Sequence, residues 1–332
     1  MRGLGERVYN PVLEAAIKRN SGATAGQRAP AVALEVSLPP RSNAPRRLVV
    51  NADDFGISRG VNRGIVEAHL NGLLTSASLM ASLPAAEDAV ARAERCPRLA
   101  LGLHLTLTAG RPLSEPDRVP SLVDTEGRLL VLGRLVARLS LGRVRRPDLE
   151  RELSAQVEWA LERGVRLDHL DSHHHVHVHP AVAGLALRLA EGYGIPYLRC
   201  PTELSSVAGL RFASARDAAR VLLISLFGEL LRQRLSGRRQ VQAAAHFRGV
   251  ALGYGFGLPA LLRTLGRLPP GLTELMAHPG YPDAELATVT TYARGREREL
   301  AALTSPEGRR LVETLGVRLT TFREAASAAP YT

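Results

Sequence analysis

Residues 47–70 read RLVVNADDFGISRGVNRGIVEAHL, a short apolar run that ends in two aspartates and leads into a longer periodic segment. Leu48–Val50 has the pattern of a buried strand, and the apolar residues of Val61–Leu70 recur at helical spacing. A strand followed by a helix is the repeating unit of parallel α/β folds. This stretch therefore predicts that ordered structure begins near Arg47 with a strand and a crossover helix.

The same alternation continues along the rest of the chain. Apolar runs predict strands at 76–82, 99–105, 166–170, 197–199, 272–277 and 317–320, and helical periodicity predicts helices at 85–94, 147–163, 181–191, 214–235, 257–267, 291–304 and 306–315. About seven strand–helix units favour a single distorted (β/α) barrel-like α/β domain with parallel strands. We assign this domain to residues 47–325. Residues 1–46 show little periodicity and are predicted to be a flexible N-terminal extension, and 326–332 a short tail.

Composition excludes several classes of protein. The 332 residues are 45% apolar and 23% charged, which is typical of a globular protein with a sizeable core. No run approaches 18 consecutive apolar residues, and two cysteines make no disulfide framework, so a cytoplasmic location is expected. The net charge is +11, but the basic residues are dispersed arginines apart from Lys18, and only 4% of residues are aromatic. We therefore expect no binding of nucleic acid.

Polar side chains collect directly after the predicted strands. Asp53 and Asp54 follow the first strand, where two buried carboxylates need partners because unpaired buried charge is costly. A divalent cation is a natural partner for one of them, which leaves the other to move protons. The alternative is that Asp54 only caps the following turn. His104 and His278 end two later strands in the same manner.

Half of the ten histidines lie in the segment His173–His179. If this segment is extended, its odd-numbered histidines share one face, with His174 opposite. Packing gives little reason to bury so many imidazoles, whereas neutral imidazole is the commonest metal ligand in proteins. The cluster, with nearby Asp171, therefore predicts a metal site.

The motifs together resemble those of the YdjC-like carbohydrate deacetylases. The resemblance rests on Asn-Ala-Asp-Asp-Phe-Gly at 51–56, Gly-Leu-His-Leu at 102–105 and His-Leu-Asp-Ser-His-His-His-Val-His at 169–177, and it extends from Arg47 to Phe322. It implies a distorted barrel of β/α units. It also implies a divalent metal ion, magnesium or zinc, held by Asp54, His104 and His173.

The resemblance further implies a hydrolase that removes the N-acetyl group from a GlcNAc-containing saccharide or glycolipid. Asp53 falls at the position of the base that takes a proton from water, and His278, in the late His-Pro motif, is a candidate proton donor to the leaving amine. Asp171, His175 and His177 are expected to orient the ligands or to contact the substrate.

The substrate branch stays open in the sequence. The run at 171–175 is closer to the chito-oligosaccharide deacetylases of the family, whereas 176–180 and 199–203 are closer to its hopanoid-associated members. Residues 218–235 combine an apolar stripe with arginines, which suits an ordinary core-facing helix or a peripheral membrane contact, as a lipid-linked sugar would require. We expect the core-facing helix. Assembly into a homo-oligomer is compatible with the sequence.

Two other functions use the same residues. Two histidines and one carboxylate also form the facial triad of non-haem iron enzymes, although that triad needs no neighbouring base such as Asp53. A non-enzyme that senses metal or binds nucleic acid fits the basic charge and the histidine cluster. It does not explain why the polar motifs are spread over four strand ends.

Overall fold

A computed structural model describes residues 45–203, 214–253 and 255–327 of the chain. The strands are β1 (Arg46–Phe55), β2 (Ser76–Leu79), β3 (Ala100–Leu105), β4 (Leu167–Ser172), β5 (His246–Arg248), β6 (Gly271–Ala277) and β7 (Arg318–Leu319). The helices are α1 (Arg59–Asn71), α2 (Ala86–Glu94), α3 (Leu132–Ser140), α4 (Arg146–Glu162), α5 (Pro180–Gly192), α6 (Ala215–Leu235), α7 (Leu258–Gly266), α8 (Ala284–Val289), α9 (Arg294–Leu303), α10 (Pro306–Thr314) and α11 (Phe322–Ser327). Apart from Pro45 and Arg46, the expected extension at 1–46 lies outside the described residues, and so does the tail beyond Ser327.

All pairings between these strands are parallel. The order is β4-β3-β2-β1-β6-β5, with β7 also paired to β1. β1 lies at the centre of the sheet and is buried from Leu48 to Phe55. Because parallel strands end at the same edge, the sequence segments after β1, β3, β4 and β6 come together there. The prediction of a parallel α/β fold is confirmed.

The sheet curls into an open barrel. Beyond β4, single parallel bridges join Leu170 to Leu198 and Tyr197 to Gln242, and Gln242 lies just before β5 at the other edge. The prediction of a regular strand at 197–199 is therefore wrong, because these residues form only isolated bridges. The curl gives the carboxyl ends of the strands a concave side.

Short elements account for the main differences from the predicted pattern. β5, α8 and α11 are absent from the prediction, since three to six residues leave too little periodicity to recognise, and α3, with nine residues, is absent as well. β1 continues five residues beyond Val50 and so contains both aspartates. β2 ends at Leu79 rather than at Ser82.

The packing of α1 fixes the segment that follows β6. A Cβ on Gly64 would lie 2.6 Å from the Cα of Gly280, so the helix touches this backbone directly. Val61, Ile65 and Ala68 on the same helix are fully buried. The helix thereby holds the His-Pro-Gly segment at the carboxyl edge of the sheet.

The helix predicted at 214–235 is present as α6, but the expectation that its apolar residues face the core is only half correct. Val221, Leu231 and Leu235 are buried. Four leucines on the opposite side are exposed: Leu222, Leu223, Leu226 and Leu230. In the described ranges no helix is both long and apolar enough to cross a bilayer.

Candidate metal centre and active site

The carboxyl ends of four strands surround a cavity of about 210 Å³. Asp53 and Asp54 of β1 line it together with His104 of β3, His173 after β4 and His278 after β6. All of these side chains come from the ends of buried strands or from the residue that directly follows one. Sequence positions more than 200 residues apart thus meet in one cavity.

The backbone at the end of β1 brings two consecutive carboxylates to the same place. Successive side chains of a regular strand point to opposite faces. Here the register with β2 shifts between Ala52 and Phe55, and Asp54 has φ +69°, a left-handed conformation that is rare outside glycine. His104 Nε2 consequently lies 3.5 Å from Asp54 Oδ1 and 4.0 Å from Asp53 Oδ2. Such strain persists where the surrounding structure maintains it, typically at functional sites.

Asp54, His104 and His173 form a group suited to a metal ion. One ligand atom from each lies within 4.8 Å of the others. Asp54 Oδ1 lies 3.0 Å from His173 Nδ1. This oxygen is buried, and no neighbour donates a hydrogen bond to it in good geometry. One carboxylate and two imidazoles are a common donor set for divalent ions such as zinc. The chemistry and the unsatisfied oxygen both fit a bound cation.

A second group of close donors consists of Asp53, His104 and Asp171. Its carboxylates already share the guanidinium of Arg199, whose Nη2 lies 2.7 Å from Asp53 Oδ1 and 2.6 Å from Asp171 Oδ2. The carboxylate oxygens of this group all have partners already, whereas Asp54 Oδ1 in the first group has none. The first group is therefore the better candidate for a metal site.

Asp171 determines which nitrogen of His104 faces the cavity. His104 Nδ1 lies 2.7 Å from Asp171 Oδ1, so it donates its proton there and Nε2 points toward Asp54. Burial alone would lower the pKa of His104, but the charges of Asp171 and Asp53 raise it to about 10, so Nε2 also carries a proton, which a bound cation would displace. Ser78 Oγ also donates to Asp171, at 2.8 Å. Asp171 thus fixes the orientation of the His104 ring from the side remote from the cavity.

Arg199 holds Asp53 from behind with two hydrogen bonds of 2.7 Å, one to each carboxylate oxygen. Its Nε donates to Glu274 Oε1 at 2.6 Å, and the whole arginine side chain is inaccessible to solvent. Burial raises the pKa of Glu274 to about 7, although the charge of Arg199 opposes the rise. Asn51 Nδ2 adds a third donor to Asp53, at 2.9 Å. These contacts fix the carboxylate of Asp53 in one orientation.

A second buried arginine, Arg296 of α9, holds Asp54. Its Nη2 donates to Asp54 Oδ2 at 2.6 Å, which leaves Oδ1 toward the histidines. Burial alone would raise the pKa of Asp54, but the charges of Arg296 and His173 lower it well below its usual value. From the same helix, Glu299 accepts a hydrogen bond of 2.6 Å from the backbone N–H of His278. One helix therefore positions residues on both sides of the cavity.

The extended conformation predicted for His173–His179 is wrong. His173–Val178 forms a 3₁₀ turn in which His174 and His175 have φ near +57° and +55°. His174 and His175 still line the cavity with His173. Burial lowers the pKa of His175 well below its usual value.

His177 lies apart from this cavity face and has an internal hydrogen-bonding role. Its Nδ1 is 2.7 Å from Ser172 Oγ, and its Nε2 is 2.9 Å from the carbonyl oxygen of Arg199. Burial lowers its pKa to about 4, so the ring is neutral. His177 thus ties the histidine turn to the segment that carries Arg199.

Arg199 and Arg296, which hold the two aspartates, are not among the site residues predicted from the sequence, and neither is Glu274, which holds Arg199. Arg199 and Glu274 each lie in a predicted strand, and a charged residue within an apolar run is the signal that could have identified them. Arg296 lies on an ordinary polar helix. Its pairing with Asp54 spans 242 residues and has no local sequence signal.

Comparisons with known proteins identify the family of this chain. Residues 47–314 match the family model of YdjC-like proteins. The chain is 38% identical to a carbohydrate deacetylase of Geobacillus stearothermophilus over 84% of this chain and 98% of that protein. It is 37% identical to a carbohydrate deacetylase of Brevibacillus brevis, over 84% of this chain and 99% of that protein.

Among solved structures, the chain is similar to one from Enterococcus faecalis that is described as a cellobiose-phosphate cleavage protein. The two share 29% identity with a TM-score of 0.68, over 85% of this chain and 99% of the other. The match of fold thus extends over nearly the whole of a chain that is similar in sequence as well. With the family model covering the region from β1 to α10 and relatives above 30% identity at nearly full length, this chain belongs to the YdjC-like protein family.

Proposed function

We propose that this protein is a carbohydrate deacetylase that hydrolyses the N-acetyl group of a GlcNAc-containing saccharide or glycolipid with the help of one divalent metal ion. The observation that carries the proposal is the pairing of two adjacent aspartates with different partners. Asp54 shares a cluster with two histidines and has one oxygen without a hydrogen-bond partner, whereas both oxygens of Asp53 are held by Arg199. One carboxylate serves the metal and the other serves proton transfer.

Asp54, His104 and His173 are the proposed metal ligands. A divalent ion in this position supplies Lewis-acid chemistry, which acidifies water and polarises the acetyl carbonyl. One aspartate and two histidines can bind either zinc or magnesium. The two imidazoles favour zinc. Arg296 and Asp171 orient the ligands from outside, at Asp54 and His104 respectively.

Asp53 is the proposed general base. Its Oδ2 lies 4.0 Å from His104 Nε2, next to the proposed ligands, where it can accept a proton from the attacking water. Arg199 and Asn51 hold the carboxylate in one orientation through hydrogen bonds to both of its oxygens. A base that is already oriented lowers the activation free energy, because it does not have to reorient during the reaction.

His278 is the proposed general acid. It lines the same cavity and donates a proton to the sugar nitrogen as the C–N bond breaks, so that acetate and a free amine leave. Burial lowers the pKa of His278, which makes its protonated ring a stronger acid than an exposed imidazole. Tyr292 packs edge-on against the ring at a centroid distance of 5.9 Å and limits its movement.

The test is acetate release from N,N′-diacetylchitobiose by purified protein, before and after EDTA and after return of zinc, magnesium, manganese or cobalt. We expect acetate and a new primary amine in equal amounts, loss of both after EDTA, and recovery with one of the metals. Absence of acetate from this and other acetylated amino sugars, despite a bound metal, would contradict the proposal. Oxygen consumption by the iron-loaded protein would instead support the oxygenase chemistry.

A further inference from the structure

Helix α6 exposes an apolar face. Leu222, Leu223, Leu226 and Leu230 are 57%, 51%, 48% and 43% exposed, and their spacing places them on one side of the helix. The opposite side is fixed to the domain, where a Cβ on Gly228 would lie 3.1 Å from the backbone of Pro201. A stripe of leucines directed to solvent is unusual for a globular surface and marks an interaction site.

The apolar face of α6 borders the mouth of the cavity. Leu223 lines the cavity from one side, and Val136 of α3, which is 37% exposed, lines it from another. His179 links the two helices: its Nε2 lies 3.3 Å from Ser140 Oγ at the end of α3, and its ring is 6.1 Å from that of Phe227 on α6. The exposed leucines are therefore continuous with the entrance of the proposed active site.

We define the apolar rim as the five exposed apolar residues at this edge of the cavity. The members are Val136 of α3 and Leu222, Leu223, Leu226 and Leu230 of α6.

Basic residues flank the rim. Arg216 and Arg234 are exposed near the two ends of α6, eighteen residues apart, which is about five turns, so they lie on the same side of the helix. Arg220 lines the cavity beside Leu223. Arginines outnumber acidic residues on this helix by four to two. Apolar side chains flanked by guanidinium groups complement a surface of acyl chains and phosphates.

We propose that the apolar rim binds to the surface of an anionic lipid bilayer, with the cavity opening toward the lipid headgroups. The leucines enter the boundary between headgroups and acyl chains, and Arg216 and Arg234 contact lipid phosphates. A second copy of the chain is a less suitable occupant, because it would cover the entrance that Leu223 and Val136 border. If the proposed deacetylation is correct, its natural substrate is an acetylated amino sugar anchored to a lipid.

The experiment is co-sedimentation of the full chain with vesicles of phosphatidylcholine, alone or mixed with phosphatidylglycerol. We expect binding to the mixed vesicles that weakens with salt. The double variant L222S/L226S loses at least about tenfold in affinity, since two partly exposed leucines no longer enter the membrane. R216Q/R234Q reduces the preference for the anionic vesicles.

The matched control is L70S/L161S, which removes two leucines that are 60% and 40% exposed near the C-terminal ends of α1 and α4. It is expected to bind vesicles like the wild type. Neither Leu222 nor Leu226 lines the cavity, so acetate release from a soluble saccharide is expected to stay unchanged in L222S/L226S.

Three results would overturn the membrane proposal: no binding to either kind of vesicle, an equal loss in L70S/L161S, or a dimer in solution that L222S/L226S dissociates. Because vesicle binding is measured without substrate, its outcome is separate from that of the acetate assay. Binding without acetate release would count against the proposed reaction, and acetate release without binding would count against the docking surface.

Discussion

At the scale of single residues, two arginines separate the roles of two adjacent carboxylates. Arg199 holds Asp53 by both oxygens, and Arg296 holds Asp54 by one, so that the other faces His173. Both arginines and both aspartates are buried, so solvent does not compete for these hydrogen bonds. Under the proposed mechanism, this difference in hydrogen-bonding partners would make Asp54 the metal ligand and Asp53 the base.

Replacement of Asp53 by Asn tests the proposed base. The amide keeps the size of the side chain but accepts no proton, so we expect acetate release to fall by roughly 10²–10⁴-fold. Metal content, measured by plasma emission on the purified variant, should stay near the wild-type value because Asp54, His104 and His173 are untouched. Asp117→Asn, which changes an exposed aspartate, is the control. Retained turnover in Asp53→Asn would show that the base is another group.

Replacement of Arg296 by Met tests whether this arginine positions the metal ligand. Loss of an outer partner of a ligand typically weakens metal binding by about 10–100-fold, whereas loss of a nearby positive charge would strengthen it. We expect the first effect to dominate, because Oδ2 of Asp54 then has no partner of its own to fix the carboxylate. Calorimetric titration with zinc measures the affinity. Equal or tighter binding than in the wild type would contradict a positioning role.

The five residues proposed for catalysis and metal binding line one cavity. They are recognisable in the sequence as candidates, because each follows an apolar run or lies in the histidine cluster. Their partners are not. Arg199 and Arg296 become visible only when the fold brings together positions 146 and 242 residues apart. The conformation of His173–Val178 is likewise set by tertiary contacts such as that of His177 with Arg199 rather than by the alternation of residue types.

At the scale of elements, the long strands and helices follow from periodicity, whereas the site depends on irregular ends. The last residues of β1 leave the regular register, and the segment after β4 turns into a 3₁₀ helix. Local pattern contains no signal for either feature, since both require neighbours distant in sequence. Regular β-α units therefore place the site at one edge, and the irregular ends of the elements shape it.

The packing of α1 against the segment after β6 gives a prediction at this scale. In Gly64→Ala the new Cβ would lie 2.6 Å from Gly280 Cα, which is too close, so the helix or the segment must shift. We expect a loss of about 1–3 kcal/mol in the free energy of unfolding, together with reduced acetate release because His278 moves with the segment. Chemical denaturation measures the first and the acetate assay the second.

The control for Gly64→Ala is Gly184→Ala on α5, where the added Cβ would meet only Arg188 Nη1 at an ordinary 3.7 Å. Alanine is the better helix former by about 1 kcal/mol, so this variant should be as stable as the wild type or more stable. The opposite order of stabilities in the two variants would show that close approach of α1 to Gly280 does not limit the fold.

At the scale of the whole molecule, the proposed metal ion would join segments from separate parts of the sheet. Asp54 ends β1, His104 lies in β3 and His173 follows β4, so a single ion would contact three β-α units. In the unfolded chain these residues are far apart and cannot bind as a group. The ion should therefore stabilise the domain as a whole and not only its active site.

Addition of zinc to the metal-free protein is therefore expected to raise its thermal unfolding midpoint. At free zinc about 100-fold above the dissociation constant, binding to the native state adds roughly 2.7 kcal/mol. For a domain of this size that corresponds to a rise of about 4–5 °C. Asp54→Asn and His104→Ala should abolish the rise, whereas His246→Ala, which lies in β5 away from the cavity, should retain it. An equal rise in all of these variants would place the stabilising ion elsewhere in the protein.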